Sequence, residues 1–428
     1  MSEPDPLELV RRLEAQLSPE ALQALHMLRS LTDAGGLDLY LVGGAVRDLL
    51  LQRPNLDLDL AIEADVAPIA EALASATGGR AVLHARFGTS TISGPGFHLD
   101  LARTRRETYA HPGALPTVEP ASIEDDLARR DFTINAMALQ LSGPRLIDTS
   151  GGLNDLTAGL IRVLHEASFR DDPTRMLRAA RYATRLGYSL EASTAVSLER
   201  DVESIERVSA ARIRNELLRI FEEPKAVDAL VFATKLSILT YVDVKLGAFD
   251  ASNSSTGGGF GPGWRAALDG PPLAPLDEFN FCMLQHPSTD AEVRRISKRL
   301  ALKGRIQDAL SDFAGLLSED GGWDKLAAMI DDPVAIVERL DRRRPSAVWA
   351  TSVIGFWRGS NPCERYLTEW RHVKPLLRGD DLLALGVQPG VAVGDMLRAL
   401  RNARLTGAAT TREDEEALVR VLLQKTAP

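Results

Sequence analysis

The chain has little of what marks disulfide-stabilised proteins or the common metal-dependent hydrolases. It contains two cysteines, Cys282 and Cys363, far apart in 428 residues, which excludes a disulfide framework and predicts a reducing, cytoplasmic location. None of the seven histidines is followed by aspartate or stands in a zinc-binding spacing, and no G-x-x-x-x-G-K-[ST] phosphate loop is present. These absences exclude the usual metalloproteases, HD-type phosphohydrolases and ATPases.

Long apolar runs and a secretory signal are also missing. No stretch of about 18 uncharged apolar residues exists, so no membrane span is expected. The first residues, MSEPDPLELV, are acidic and lack the basic and apolar regions of a signal peptide. The net charge of -9 argues against a uniformly basic nucleic-acid-binding surface, although 50 lysines and arginines can gather on one face.

The most informative stretch begins with a strand, a turn and a helix. Leu39–Val42 predicts a short buried strand, Gly43-Gly44 a tight turn, and Ala45–Leu51 a helix. Backbone N–H groups at such a turn can bind an anion, and glycine lets a phosphate approach closely. Arg47, one turn into the helix, can add a charge-assisted fork to that phosphate.

Two aspartates follow on the next predicted strand. Leu56–Leu60 alternates with period two, so Asp57 and Asp59 point from one face, about 7 Å apart. Their carboxylates can bind hard cations such as Mg²⁺. Two such ions about 4 Å apart can activate an attacking hydroxyl and stabilise a leaving pyrophosphate. A Gly-Gly turn or a solvated acidic strand edge is ordinary by itself, so the signal lies in their combination and order.

This combination resembles the N-terminal motif of the class II tRNA nucleotidyltransferases, the family of CCA-adding enzymes and bacterial poly(A) polymerases. That family is part of the DNA polymerase beta-like superfamily. The octamer RRDFTINA at 129–136 is similar to a second motif of the same family. The resemblance is strong over residues 39–220, weaker over 225–375, and clear again at the end of the chain.

The octamer carries its own chemistry. Paired arginines, Arg129 and Arg130, suit a triphosphate, although solvated charges at a helix start are the ordinary alternative. Asp131 and Asn135 could exchange hydrogen bonds with a ribose hydroxyl. We expect a helix to lead on from Asp131 through Ala138.

The segment 169–186, FRDDPTRMLRAARYATRL, predicts a helix with a band of guanidinium groups. Asp172 could simply cap this helix before Pro173. A fixed aspartate acceptor beside a fixed arginine donor, however, matches the amino group and ring nitrogen of cytosine and adenine. Uracil and guanine present the reverse order and would cost about 2 kcal/mol or more. Asp172 with Arg175 could therefore select CTP and ATP without a nucleic-acid template.

This helix matches the E-D-x-x-R motif of the family, with one departure. Asp171 stands where the family has glutamate. If this residue orients the arginine, its shorter side chain would alter how well the pocket changes between cytosine and adenine. The predicted strand Phe97–Ala102 contains Asp100, which is either a third catalytic carboxylate or a strand-end acid. In Ser209–Leu217, which resembles the neck motif, we expect an i, i+4 ion pair between Arg212 and Glu216.

A proline-containing segment, Thr108–Glu124, predicts an irregular loop. The resemblance implies that this loop is flexible and helps the switch between nucleotides, while the alternative is a plain surface connection.

The resemblance implies an α/β catalytic head with a polymerase beta-like nucleotidyltransferase fold, followed by an all-α neck, body and tail. The expected domains are an N-terminal helical prelude (1–33), the head (34–150), a neck with the nucleotide-selecting helix (151–224), a helical body (225–345) and a tRNA-contacting tail (346–428).

The implied activity is template-independent addition of CMP and AMP to the 3′ end of tRNA by two-metal transfer. Enzymes that add only CC or only A, poly(A) polymerases, and a non-catalytic RNA-binding protein are the alternatives. The expected partners are CTP, ATP and the acceptor and T arms of tRNA, with no membrane and no stable protein partner. The predicted site comprises the catalytic residues Asp57, Asp59 and Asp100, the first two as Mg²⁺ ligands, and the nucleotide-binding residues Gly43, Gly44, Arg47, Arg130, Asp131, Asn135, Asp172, Arg175, Arg178 and Arg181.

Overall fold

A mixed sheet with helices occupies the first part of the chain, and helices make up the rest. The computed structural model describes residues 4–54, 58–111, 113–247, 260–285, 289–318, 322–356 and 361–426. The chain divides into two compact units, residues 1–241 and 242–428, and the division falls inside the predicted body. The expected order of an α/β head followed by helical regions is confirmed.

The elements of unit 1 follow the apolar patterns of the sequence. Its strands are β1 (Tyr40–Val42), β2 (Leu58–Ile62), β3 (Arg80–His84), β4 (Thr89–Gly94), β5 (Phe97–Arg103), β6 (Arg105–Thr108), β7 (Thr117–Pro120), β8 (Met137–Gln140), β9 (Arg145–Asp148), β10 (Leu160–Ile161) and β11 (Ser189–Leu190). Its helices are α1 (Pro6–Gln16), α2 (Pro19–Ala34), α3 (Gly44–Leu50), α4 (Ala67–Thr77), α5 (Ile123–Ala128), α6 (Gly152–Ala158), α7 (Ser168–Asp171), α8 (Thr174–Leu186), α9 (Ala192–Asp201), α10 (Ala210–Phe221), α11 (Ala226–Lys235) and α12 (Ile238–Val242), which ends just across the division.

Seven strands form the main sheet in the order β3-β4-β5-β2-β1-β8-β9. β2 and β5 run parallel, with Asp59 opposite Asp100, and the other neighbours in this sheet are antiparallel. The inner strand β1, which lies between β2 and β8, is buried along its whole length. Helix α5 covers one face, where Ile123 and Leu127 pack with residues of β1 and β8. The glycine turn after β1 and the acid on β2 therefore lie on adjacent strands.

The helix expected from Asp131 through Ala138 is wrong. A 3₁₀ turn at Thr133–Asn135 leads instead into β8, which pairs with β1 and β9. Met137, Ala138 and Leu139 are all buried because the strand is covered on both faces. A short apolar run of this kind fits a buried strand as well as a helix, and periodicity cannot separate the two.

The prediction that Thr108–Glu124 forms an irregular loop is also wrong in part. β6 and β7 pair as an antiparallel two-stranded sheet, in register from Arg105 opposite Pro120 to Thr108 opposite Thr117. Pro120 is the last residue of β7, and proline is tolerated at the end of an edge strand. The prolines therefore limit the hairpin without preventing it.

Unit 2 is helical over its described residues. Its helices are α13 (Val244–Gly247), α14 (Phe260–Asp269), α15 (Leu276–Leu284), α16 (Asp290–Arg299), α17 (Arg305–Ser318), α18 (Gly322–Ala328), α19 (Pro333–Leu340), α20 (Pro345–Phe356), α21 (Pro362–Thr368), α22 (Gly379–Ala384), α23 (Val391–Leu405) and α24 (Arg412–Thr426). Across the described residues, no helix combines the length and apolar character needed to cross a bilayer.

The last three helices share a small core of Leu377, Leu382, Val387, Leu400 and Val419. Beside it, the buried carboxylate of Glu415 accepts hydrogen bonds from the backbone N–H groups of Leu376 and Leu377. This buried acid ties the segment that precedes α22 to α24.

Candidate functional site

A polar cleft of about 560 Å³ opens in unit 1 beside the glycine turn. Its walls include most residues of the predicted site: Gly43, Gly44, Arg47, Asp59, Arg130, Asp131, Asn135, Asp172, Arg175 and Arg178. They also include Arg129, which the sequence paired with Arg130, and residues that the sequence did not assign to the site: Asp48, Arg105, Glu107, Tyr109, Tyr182, Arg185 and Arg212. Asp57 lies outside the described residues, and neither Asp100 nor Arg181 lines the cleft.

The glycine turn is packed against an arginine. Gly43 has a φ of +71°, and a Cβ at this position would lie 2.5 Å from Nη1 of Arg130. Arg130 is held by Asp126, with 2.9 Å between Nη2 and Oδ2. Any side chain at position 43 would therefore displace a cationic group of the cleft as well as strain the backbone.

A buried network of hydrogen bonds and one ion pair connects four side chains that line the cleft. Arg47 donates to Oδ1 of Asn135 at 2.5 Å, and Nδ2 of Asn135 donates to Oδ1 of Asp131 at 3.1 Å. Nη2 of Arg178 lies 2.7 Å from Oδ2 of Asp131. Burial alone would raise the pKa of Asp131, but Arg178 and the hydrogen bond from Asn135 hold it below its usual value. Asp131 and Asn135, predicted to contact ribose, thus position two arginines of the cleft.

Asp126 and Glu107 organise the arginines at the edge of the cleft. Asp126 is 2% exposed and lies 2.7 Å from Arg129 and 2.9 Å from Arg130. Burial opposes ionisation, yet the two arginines lower the pKa of Asp126. Glu107, on β6, accepts from Arg129 at 2.8 Å and from the hydroxyl of Tyr109. The i, i+4 spacing of Asp126 and Arg130 is a signal that could have revealed this acid from sequence.

Asp172 is fixed through one oxygen. Its Oδ1 accepts from the backbone N–H and the hydroxyl of Thr174, at 3.0 and 2.6 Å, and from Nη2 of Arg212 at 2.6 Å. Among the described residues, the hydrogen bonds to this carboxylate end on Oδ1, which leaves Oδ2 as an acceptor for a ligand.

The predicted ion pair between Arg212 and Glu216 is wrong. Arg212 also donates to the carbonyl of Gly113, whereas Glu216 pairs with Arg219 at 2.9 Å and Arg181 at 3.8 Å. The i, i+4 rule considers only neighbours on one helix, while the partner of Arg212 lies 40 residues away in sequence. Arg212 therefore belongs to the cleft.

The arginine band of α8 divides between two surroundings. Arg178 and Arg185 line the cleft with 30% and 40% of their side chains exposed, whereas Arg181 pairs with Glu216 and Glu223. At 3.6 residues per turn, Arg181 points about 120° away from Arg175 around the helix. This rotation directs Arg181 towards α10 and out of the cleft.

Arg175 is buried and anchored on both sides. Nη1 donates to Oγ of Ser168 at 2.6 Å, and Nη2 donates to the backbone carbonyl of Arg129 at 2.7 Å. The carboxylate of Asp171 lies 3.9 Å from Nε2 of His165. Burial and the charge of Arg175 lower the pKa of His165, so this contact is not an ion pair at neutral pH.

The carboxylates of Asp59 and Asp100 are neighbours on one face of the sheet. The two residues are in register on parallel strands about 5 Å apart, and Asp59 faces the cleft. Oδ1 of Asp100 accepts from Thr91 at 2.6 Å. Within the described ranges no group of three histidine, cysteine or acidic side chains forms a metal site. The donor chemistry of these carboxylates nevertheless fits a hard divalent ion.

Replacing Asp126 with asparagine should make the free energy of unfolding depend less on pH. Because its pKa is lowered in the fold, the carboxylate stabilises the protein above the usual carboxylate pKa of about 4, and this contribution is lost as the pH falls below that value. Asp126→Asn should unfold about 3 kcal/mol more easily at pH 7, with a smaller difference at pH 3. Urea unfolding at both pH values measures this. The exposed Asp125→Asn is the control, and a pH-independent difference would contradict the expectation.

Comparison with known families gives two matches. A family model described as the poly A polymerase head domain matches residues 39–162, and one described as the probable RNA- and SrmB-binding site of polymerase A matches residues 187–242.

Among relatives, the A-adding tRNA nucleotidyltransferase of Geobacter sulfurreducens is 31% identical over 95% of this chain and 48% of its own length. The CC-adding tRNA nucleotidyltransferase of Deinococcus radiodurans is 32% identical over 96% of both chains. The chain thus spans about half the length of the first relative and nearly all of the second.

Two solved structures are similar over nearly the whole chain. A CCA-adding enzyme in its apo form II is 25% identical, with a TM-score of 0.77 and coverage of 97% of this chain and 98% of that one. A CCA-adding enzyme in complex with CTP is 26% identical, with a TM-score of 0.73 and coverage of 98% and 99%.

Proposed function

We propose that this chain, which belongs to the tRNA nucleotidyltransferase and poly(A) polymerase family, adds CMP and AMP to the 3′ end of tRNA without a nucleic-acid template. One observation carries the proposal. A fixed acceptor on Asp172 and a fixed donor on Arg175 line the same cleft as Asp59 and the glycine turn. A base-reading pair and an acid for phosphoryl chemistry therefore face one bound nucleotide.

The triphosphate would bind against the glycine turn and the arginines. Gly44 begins α3, where backbone N–H groups are available to an anion, and Arg47 and Arg130 flank it. Arg178 and Arg185 keep enough exposure for their guanidinium groups to reach phosphate oxygens. Because Asp131 and Asp126 fix Arg178 and Arg130, little ordering of these cations is needed when the nucleotide binds.

The base would be read by side chains alone. The free Oδ2 of Asp172 would accept from the amino group of cytosine or adenine, and Arg175 would donate to the adjacent ring nitrogen. Uracil and guanine would place a carbonyl against the carboxylate and an N–H against the guanidinium. The pair thus admits CTP and ATP and rejects UTP and GTP.

Divalent ions, Mg²⁺ in our proposal, would be held by Asp59 with Asp57 from the same predicted strand, and Asp100, in register with Asp59 on the neighbouring strand, would support them. When bound, such ions activate the attacking hydroxyl and neutralise charge on the leaving pyrophosphate. Asp59 would orient the 3′-hydroxyl of tRNA towards the α-phosphorus, and the arginines would keep the triphosphate in line. We propose that the acceptor and T arms of tRNA are recognised by shape, and that the protein, whose two thiols are buried, works in the cytoplasm.

A narrower activity is the second candidate. Relatives matched by the chain are named for addition of only A or only CC, and two of them align over 95% and 96% of it. Asp171 in place of the glutamate of the family motif lies beside the base-reading pair. Either partial activity would use the same cleft and the same chemistry.

Purified protein incubated with each NTP and with tRNA ends lacking CCA, CA or A tests both candidates. The proposal expects CMP on the two ends that lack cytidine and AMP on the end that lacks only A. AMP alone would establish the A-adding candidate, CMP alone the CC-adding one, and long A runs a poly(A) polymerase. Incorporation of neither C nor A would contradict the proposed function.

A further inference from the structure

A buried serine anchors the base-reading arginine. Oγ of Ser168 accepts from Nη1 of Arg175 at 2.6 Å, and Ser168 is fully buried. The second anchor, the carbonyl of Arg129, binds the other terminal nitrogen at 2.7 Å. Two acceptors at the two ends of a planar guanidinium fix its plane as well as its position, because the group cannot turn without breaking one bond.

The acid next to the pair does not hold this arginine. The carboxylate of Asp171 lies beside the ring of His165, at 3.9 Å, and Asp172 is itself fixed by Thr174 and Arg212. Within the described residues, the hydrogen bonds of the Arg175 side chain are those to Ser168 and to the carbonyl of Arg129. The serine hydroxyl is therefore the side-chain group that sets the direction of the remaining donors.

We propose that Ser168 is a positioning residue that determines base specificity by fixing Arg175, an inference that rests on the proposed function. Ser168 touches neither the nucleotide nor the reacting atoms. It keeps Arg175 as a donor directed to the ring nitrogen of cytosine or adenine. A guanidinium that is free to move could turn away from the ring N–H of uracil or guanine and donate instead to the neighbouring carbonyl.

Removing the hydroxyl of Ser168 should change the discrimination between nucleotides more than the rate of the chemical step. In Ser168→Ala the guanidinium keeps one anchor, so KM for CTP and ATP should rise about tenfold and the preference over UTP and GTP should fall about tenfold. kcat for an accepted nucleotide should stay within about twofold, because the acid and the triphosphate-binding arginines are untouched.

The experiment compares Ser168→Ala with two further variants on a tRNA end that the wild type extends. Ser168→Cys fills the space with a weak acceptor, so it should behave like Ser168→Ala if the hydrogen bond matters. Ser204→Ala removes a buried hydroxyl that also makes a 2.6 Å bond, to the carbonyl of Asp201 outside the cleft, and should leave KM and preference unchanged.

Two results would overturn the role of Ser168. One is an unchanged KM and preference in Ser168→Ala. The other is restoration of the wild-type preference by Ser168→Cys, which would show that volume, and not the hydrogen bond, matters. Failure of the wild type to incorporate either C or A would instead refute the proposed function, so the two failures are distinguishable.

Discussion

Replacing Asp59 with asparagine should lower kcat for nucleotide addition by about 10³-fold or more, while the affinity for the NTP stays within about threefold. Asparagine keeps the size of the side chain but loses the charge that a divalent ion needs. In the proposed site the nucleotide contacts are made by other residues, including Asp172 and Arg175. Single-turnover rates and equilibrium binding of labelled ATP measure the two quantities.

The variant Asp100→Asn decides whether Asp100 is a third catalytic carboxylate or a strand-end acid. A loss of similar size would identify Asp100 as a third catalytic carboxylate, and a loss below about tenfold would leave it as a strand acid bound by Thr91. Asp33→Asn, which neutralises an exposed acid on α2, is the control and should have no effect. Near-normal turnover in Asp59→Asn would contradict the proposed metal site.

Asp131→Asn should destabilise the fold by about 3 kcal/mol or more. The carboxylate is 4% exposed, pairs with Arg178 at 2.7 Å and accepts a hydrogen bond from Asn135. Neutralising it leaves the charge of Arg178 without its counter-ion in a largely desolvated wall. Urea unfolding at pH 7 measures the loss, and NTP binding should weaken as well because Arg178 is no longer held in place.

A double-mutant cycle with Arg178→Gln measures the interaction energy between Asp131 and Arg178 apart from their other contacts. The double variant should be more stable than the sum of the single losses predicts, by more than about 1 kcal/mol, because both charges are then absent. Glu8→Gln breaks an exposed pair with Arg12 and should cost less than about 1 kcal/mol. Additive losses in the cycle would show that Asp131 acts independently of Arg178.

Local patterns predicted much of unit 1. The apolar run before Gly43 and the alternation that ends in Leu60 gave two adjacent strands of the sheet, β1 and β2. Ser18 followed by Pro19 is a usual pattern for a helix start, and α2 begins there, with the serine side chain accepting from the N–H of Ala21. These features depend on residues within about one turn or one strand of each other, which is the range that periodicity and capping rules describe.

The contacts that sequence missed are tertiary ones. Arg212 pairs with Asp172 across 40 positions, and Arg129 binds Glu107 on a hairpin in the segment that its prolines predicted to be an irregular loop. Met137 begins a strand that is covered on both faces, and the apolar run of such a strand does not differ from that of a buried helix. Partners of this kind are decided by the packing of whole elements, so spacing within one helix cannot identify them.

The anchor of Arg175 on the carbonyl of Arg129 has an evolutionary consequence. Every amino acid supplies the same main-chain oxygen, so exchanging the side chain at position 129 would leave this bond available. Inserting or deleting one residue between α5 and β8 would move this oxygen and so rotate the guanidinium of Arg175, the proposed base-reading group. Fidelity of base choice should therefore tolerate point changes at this position better than changes in chain length.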